Sequence, residues 1–145
     1  VIQVSFDHIG QISSKLQELL SSLSIFDEVR IGIPESTVQF KNAVATVYTT
    51  GGRFDQTMGQ YNIPIEVESV IFAVYRGTKP ATYSKAIEDL VTILKKFNTE
   101  EEWYTVKGTT RMTKVDSFQH IPRVVGKGFY TTIVYNLKHD VREPY

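Results

Sequence analysis

The sequence predicts an α+β domain: a mixed, mostly antiparallel sheet of about five strands with two amphipathic helices packed on it. Three observations carry this. Residues 7–24 and 81–97 place apolar side chains at helical spacing, several other segments alternate with period two, and residues 63–76 (IPIEVESVIFAVYR) form a strand around which the rest is organised. Along that strand one face carries Ile63, Ile65, Val67, Ser69, Ile71, Ala73 and Tyr75, and the other Pro64, Glu66, Glu68, Val70, Phe72, Val74 and Arg76. Its second half is apolar on both faces, which predicts layers above and below; its first half keeps Glu66 and Glu68 in water. At about 3.3 Å per residue the run reaches roughly 40 Å, about twice a usual strand. The first half is therefore expected to project beyond the domain and to need a cover, supplied by a second copy of the chain.

In order, residues 7–24 place Ile9, Ile12, Leu16, Leu19, Leu20 and Leu23 on one helix face, with Ser5 or Asp7 as the candidate cap. Val29, Ile31 and Ile33 then alternate up to Pro34, a short strand. Residues 42–50, NAVATVYTT, are small and β-branched and read as a second strand. Residues 51–62, GGRFDQTMGQYN, read as a loop longer than a tight hairpin uses. There Arg53, Phe54, Met58 and Tyr61 suit a partner's pocket, and a solvated tip is the alternative. After the organising strand, Gly77 and Pro80 precede a helix over residues 81–97 whose buried stripe is Tyr83, Ala86, Ile87, Leu90, Val91, Leu94 and Phe97, with Thr82 as a possible cap. A polar connection containing Trp103 and Tyr104 leads to strand character over residues 112–121, closed by Pro122. Residues 128–139 alternate cleanly as the last strand, and the tail DVREPY reads as loose. Sequential strands are expected to pair antiparallel, apart from the crossover through the second helix.

The 145 residues fit one domain, 1–145, without repeats or linkers. The absence of cysteine excludes disulfides, thiolate metal sites and cysteine nucleophiles. Lys+Arg and Asp+Glu balance at 16 each, so the chain as a whole is not an electrostatic nucleic-acid binder. The longest apolar run, residues 70–75, is far too short to span a membrane, and the first residues lack an export signal, so a soluble chain with no membrane partner is expected.

No catalytic, cofactor or metal site rises from the residues. His8, His120 and His139 lack metal-ligand spacing and read as surface or strand histidines. His120 and Asp116 share a face of a regular strand, but at about 13 Å, too far to bond. Glu66 and Glu68 also share a face, where solvation and protection of a strand edge is a simpler role than paired catalysis. Residues 103–128 hold Lys107, Arg111, Lys114, Arg123 and Lys127 against Asp116 alone. That segment reads as a DNA-facing patch, as half of a subunit contact, or as ordinary solvated surface.

With the elements placed, the chain resembles the tail terminator, or tail completion, proteins of long-tailed bacteriophages. The likeness rests on QISSKLQELLSSL followed by FDEVRIGIPES, on AVATVYTT and IPIEVESVIFAVYRG separated by a Gly-rich loop, and on YSKAIEDLVTILKKF leading into two closing strands. It covers most of the chain in order and length and includes no invariant motif. The resemblance implies a non-enzymatic virion protein, assembled in the host cytoplasm as a homo-oligomeric, hexameric ring at the head-proximal end of the tail tube. Such a ring stops tube growth, meets the tail tube protein and a head completion or connector protein, and lets DNA pass without sequence-specific binding. Arg53, Phe54, Met58, Tyr61, Glu66 and Glu68 are the expected interface residues, from their own chemistry. Another neck component, and a small α+β enzyme or ligand-binding domain, are the alternatives.

Overall fold

The element order is α1 (Asp7–Ser22), β1 (Glu28–Ile31), β2 (Ala43–Phe54), β3 (Asn62–Gly77), α2 (Lys79–Thr99), α3 (Glu101–Tyr104), β4 (Met112–Val125) and β5 (Gly128–Pro144). The computed structural model describes residues 5–34, 40–54, 62–126 and 128–144. The five strands form one mixed sheet in the order β1-β2-β3-β5-β4, so the α+β expectation holds. Only β1 and β2 run parallel; every other neighbouring pair is antiparallel. Strand β4 returns in the direction of β3, two places away, with β5 inserted between them.

The parallel β1–β2 pair departs from the expected antiparallel succession, and Asp27 supplies the reason. One oxygen of its carboxylate accepts the backbone N–H groups of Lys41, Asn42 and Ala43, at 2.9, 2.7 and 3.3 Å. The N–H of Asp27 in turn donates to the Ala43 carbonyl at 2.8 Å. The start of β2 is thereby fastened beside the start of β1, which requires both to run the same way. Those amides, that of Asn42 first, hold the Asp27 carboxyl below its ordinary pKa.

All three helices lie on one face of the sheet. The core joins Ile12, Leu16, Leu19 and Leu20 of α1 and Ala86, Leu90, Ile93 and Phe97 of α2 to alternate strand residues such as Val47, Ile71, Ile133 and Tyr135. Ile63, Ile65 and Val67 belong to the same core, so the first half of β3 does not project. It is flanked on both sides, by β5 along residues 62–77 and by the far end of β2, whose Gly51 to Phe54 pair with Glu68 to Ile65. Nor is the second half sandwiched between layers: α1 and α2 cover Ile71, Ala73 and Tyr75, while no described helix lies over Val70, Phe72 and Val74.

Several boundaries differ from the sequence reading for identifiable reasons. Residues 51–54 are strand, not loop, because Gly52 lets β2 run very close to β3: a Cβ there would lie 2.7 Å from the Glu66 carbonyl oxygen. Strand β4 continues through Pro122 to Val125, which an edge strand tolerates because it has no outer neighbour to bond. The supposedly loose tail is the end of β5, with Val141 and Glu143 fully buried. In α2 the buried stripe is Thr82, Ala86, Asp89, Leu90, Ile93 and Phe97, whereas Tyr83 and Val91 are exposed. Asp89 can sit inward because Lys85, one turn back, reaches it at 3.0 Å. Trp103 lies on the short helix α3 with its ring edge-on to Phe97, 5.1 Å between centroids.

Neither expected helix cap forms. Thr82 donates its backbone N–H to the carbonyl of Thr78, the residue that starts α2 without a side-chain bond. Helix α1 starts from Phe6 in a left-handed conformation, φ 56, and receives its anion from the other end of the chain. Glu143 accepts the N–H of His8 at 3.0 Å, with His8 Nδ1 2.7 Å from the same oxygen. A carboxylate at a helix N-terminus satisfies a free donor and opposes the helix dipole.

Candidate functional site: the helix-free face of the sheet

Period two splits each strand between a helix-covered face and a helix-free one, and the two carry different chemistry. On the helix-free face the centre is apolar. Cross-strand partners Val44 and Val74, Thr46 and Phe72, Phe72 and Val134 align there, with Val44 and Val70 nearly buried and Phe72, Val74 and Val134 half-buried. Phe40 and Tyr130 meet edge-on beside it, 6.5 Å between centroids. One end of this face is charged. Arg53 lies 3.5 Å from Glu66, Arg142 3.4 Å from Asp140, and Lys138 3.8 Å from Asp116. All of these groups except Asp116, together with Lys114, border an open hollow of about 770 Å³.

The expected interface residues divide accordingly. Glu66 and Glu68 lie on the helix-free face, half-buried and exposed respectively. Arg53 joins them because β2 carries a bulge at Thr50, between Thr49 and Gly51, which shifts the parity of the residues beyond it. The same shift puts Phe54 on the helix side, 63% exposed, with its ring 6.3 Å from that of Phe6. Met58 and Tyr61 lie outside the described residues. A second bulge, at Asp116 in β4, separates the pair considered for acid/base work: Asp116 turns towards Lys138 while His120 stays on the helix side against Tyr83 and Thr131. The basic segment is likewise not one patch. Lys107 binds Glu18 of α1 at 3.0 Å, while Lys114 and Arg123 sit on the helix-free face of β4; Lys127 lies outside the described residues.

The helix-covered face contains a polar group that the sequence reading missed. His139, read as an ordinary strand histidine, is 0% exposed. Its Nδ1 is 2.7 Å from Thr113 Oγ1 and its Nε2 2.9 Å from Ser69 Oγ, and Thr113 is bonded onward to Thr110 at 2.9 Å. Burial drives the imidazole pKa down to about 4, so it is neutral at pH 7. The arrangement ties β3, β5 and β4 together from inside. Ser69 and Thr113 are as sealed as the histidine, so a substrate has no approach to it. The phase of β5 was the available signal: continuing Ile133, Tyr135, Leu137 by twos leads to His139, Val141 and Glu143. Beneath α2, Tyr75 and Tyr135 are also buried, with the Tyr75 hydroxyl directed at the Asp89 carboxylate. Burial is the main cause of their raised pKa values, and the Asp89 carboxylate adds to it.

Among the described residues no group of three or more His, Asp or Glu side chains is placed to hold a metal ion, and no helix is long and apolar enough to cross a membrane. No known protein family matches the chain, and no curated protein matches it.

Proposed function

We propose that the chain is a structural subunit of a tailed virus particle, assembling as a closed, six-fold ring at the head-proximal end of the tail tube. The ring ends tube growth and offers the surface on which a head completion or connector protein docks, with DNA passing through it unread. The observation that carries this reading is the helix-free sheet face, where an apolar centre runs into a charged end bearing Arg53, Glu66 and Glu68. Such a face is a protein-contact surface: the apolar centre gains from being covered, and the charged end sets orientation and register. The order of elements along the sequence supports the placement in the tail. Strand β3 itself needs no second copy as a cover, because it is flanked and packed along its length.

The test is removal of the chain from its virus and restoration with purified protein. Tubes longer than normal and unattached to heads, corrected on adding the protein, are the expected result. Tubes of normal length that only fail to join heads would assign the chain to another neck position. Normal particles without it would overturn the reading.

A further inference from the structure

The sheet has two outer strands, β1 and β4, and no described strand pairs with the free side of either, although in β1 the Val29 carbonyl accepts Gln17 Nε2 of α1 at 2.8 Å, a bond that a pairing strand would replace. Following the register straight across the sheet, Ile31 aligns with Val47, Ile71, Tyr135 and Phe118 in turn, and Glu28 with Val44, Val74, Thr132 and Ile121. The four residues of β1 therefore stand at the same height as Phe118 to Ile121 of β4, on opposite sides of the molecule. In those four residues β4 is unobstructed: the bulge at Asp116 disturbs the strand before them and Pro122, which has no N–H, ends them. The two edges also match in direction. Strand β1 runs with β2, which puts it opposite to β4.

The side chains at these edges are complementary. Ile31 and Phe118, each 49% exposed, lie on the helix side at equal height, because they align with the buried Val47 and Tyr135. On the helix-free side Glu28, whose carboxylate takes Arg30 of its own strand at 2.7 Å and would share itself with a second guanidinium, stands at the height of Ile121, with Arg123 two residues further along the same face, within the diagonal reach of long side chains. Within one chain these edges are separated by about four strand spacings, roughly 19 Å, and cannot meet.

We propose that β1 of one copy pairs antiparallel with Phe118–Ile121 of β4 in the next, so that Ile31 meets Phe118, Glu28 meets Arg123, and the sheet continues from subunit to subunit. The contact is head-to-tail, since each copy offers two different edges. It rests on the reading of the chain as a self-assembling ring subunit and specifies how the copies join.

Because the chain has no cysteine, Ile31→Cys and Phe118→Cys introduce the only thiols. Residues directly opposed on antiparallel strands have Cα separations of about 4.5–5.5 Å, within the range a disulfide spans. Under mild oxidation, an equal mixture of the two single variants should give covalent dimers, and the chain carrying both substitutions a ladder rising to ring size; either single variant alone should give none. Native mass is recorded on the same samples and on isolated tails. Oligomers without the mixed cross-link would overturn the edge pairing alone, as would a single variant that cross-links to itself, the mark of a two-fold contact. Monomers both in solution and on tails would overturn the ring reading and this pairing together. As a second arm, Glu28→Arg and Arg123→Glu should each deplete the oligomer and together restore it; loss in the combined variant as deep as in the singles would count against their contact.

Discussion

The two faces of β3 and β5 each carry a few residues of the opposite character to the rest of the face. The helix-covered face accommodates Ser69, His139 and Glu143 at 0–1% exposure, whereas the helix-free face leaves Phe72, Val74 and Val134 within reach of solvent. The difference lies in what each group is given. Inside, each of the three polar residues has a partner at hydrogen-bond distance on another element: Ser69 and Thr113 for His139, and the first turn of α1 for one carboxylate oxygen of Glu143. Such bonds are geometric fasteners, which fix how the strands and α1 sit, because a buried polar group left without its partner is costly. Outside, the apolar residues have neighbours in the sheet but no described helix above them, and they stay half-buried.

The sharpest way to break this comparison is to remove a fastener. His139→Ala leaves Ser69 Oγ without its partner, takes from Thr113 one of its two bonds and opens a cavity in the core. Stability should fall by about 3 kcal/mol, the sum expected of a lost buried bond and a large-to-small core change. Urea unfolding measures it, and a loss below about 1 kcal/mol would mean that the interior does not depend on this network.

A similar loss should be reached without mutation, by acid. The folded chain holds His139 neutral with a pKa of about 4, against 6.5 for a free imidazole. Between those values the unfolded chain binds a proton that the folded chain refuses, so stability drains away as the pH falls from 6.5 towards 4, by about 3 kcal/mol in total. Asp27 acts in a separate window, losing its contribution only as the pH falls through and below its ordinary 3.8. Unfolding at pH 7 and pH 4.5 should therefore differ strongly in the wild type and much less in His139→Gln. Equal differences in both would place the acid sensitivity elsewhere.

How much of this was legible beforehand follows from the range over which each cause acts. The α1 stripe, the crossover helix, the strand phases and the α+β class are local patterns, and they were readable. Shifts of a single residue were not. The bulges at Thr50 and Asp116 flip parity, sending Phe54 to the helix side and parting Asp116 from His120; the glycines after Thr50 fit a bulge as well as a loop, and nothing in KVDSFQ marks the second. Partners distant along the chain were equally hidden. Glu143 caps α1 across 135 positions, so a tail that looked loose by composition is anchored. Likewise the three amides held by Asp27, which align β1 with β2, exist only once the chain has folded back. Of the residues expected at an interface, Glu66, Glu68 and Arg53 share a face, while Phe54 does not.

Next in size is a contrast between adjacent glycines at the far end of the β2–β3 pair. A Cβ at Gly52 would press to 2.7 Å of a backbone oxygen, where no side chain can yield, while one at Gly51 meets nothing within 4 Å. Gly52→Ala should cost about 2 kcal/mol and Gly51→Ala less than about 0.5. Equal effects would show that the strands separate easily there. On the helix-free face, Phe72→Ala should cost the free subunit only about 1 kcal/mol, because the side chain is half-buried. Its effect should instead be felt in the oligomer or the tail, and a destabilisation matching that of His139→Ala would mean that the face is already covered within one chain.

The smallest expected effect on the fold comes from replacing both Glu66 and Glu68 by lysine. Glu68 is exposed, and the Arg53–Glu66 contact, at 3.5 Å with an Arg53 side chain 77% exposed, is too solvated to contribute much. The change in unfolding free energy should stay within about 0.5 kcal/mol per residue. Assembly is where the substitution should act. It turns Glu66 and Glu68 basic beside Arg53, Lys138 and Arg142, and leaves Asp140 and Asp116 as the acids of that end. A partner matched to the mixed pattern then meets like charge, and docking should weaken in a way that added salt partly relieves. An enzyme that used the two carboxylates would lose turnover and keep its oligomeric state and its docking. The measurements are the oligomer distribution at low and high salt and the completion of tailed particles by the double variant. Wild-type behaviour in both would remove the charged end from the contact surface and leave the apolar centre and the sheet edges as the surfaces through which the subunit assembles.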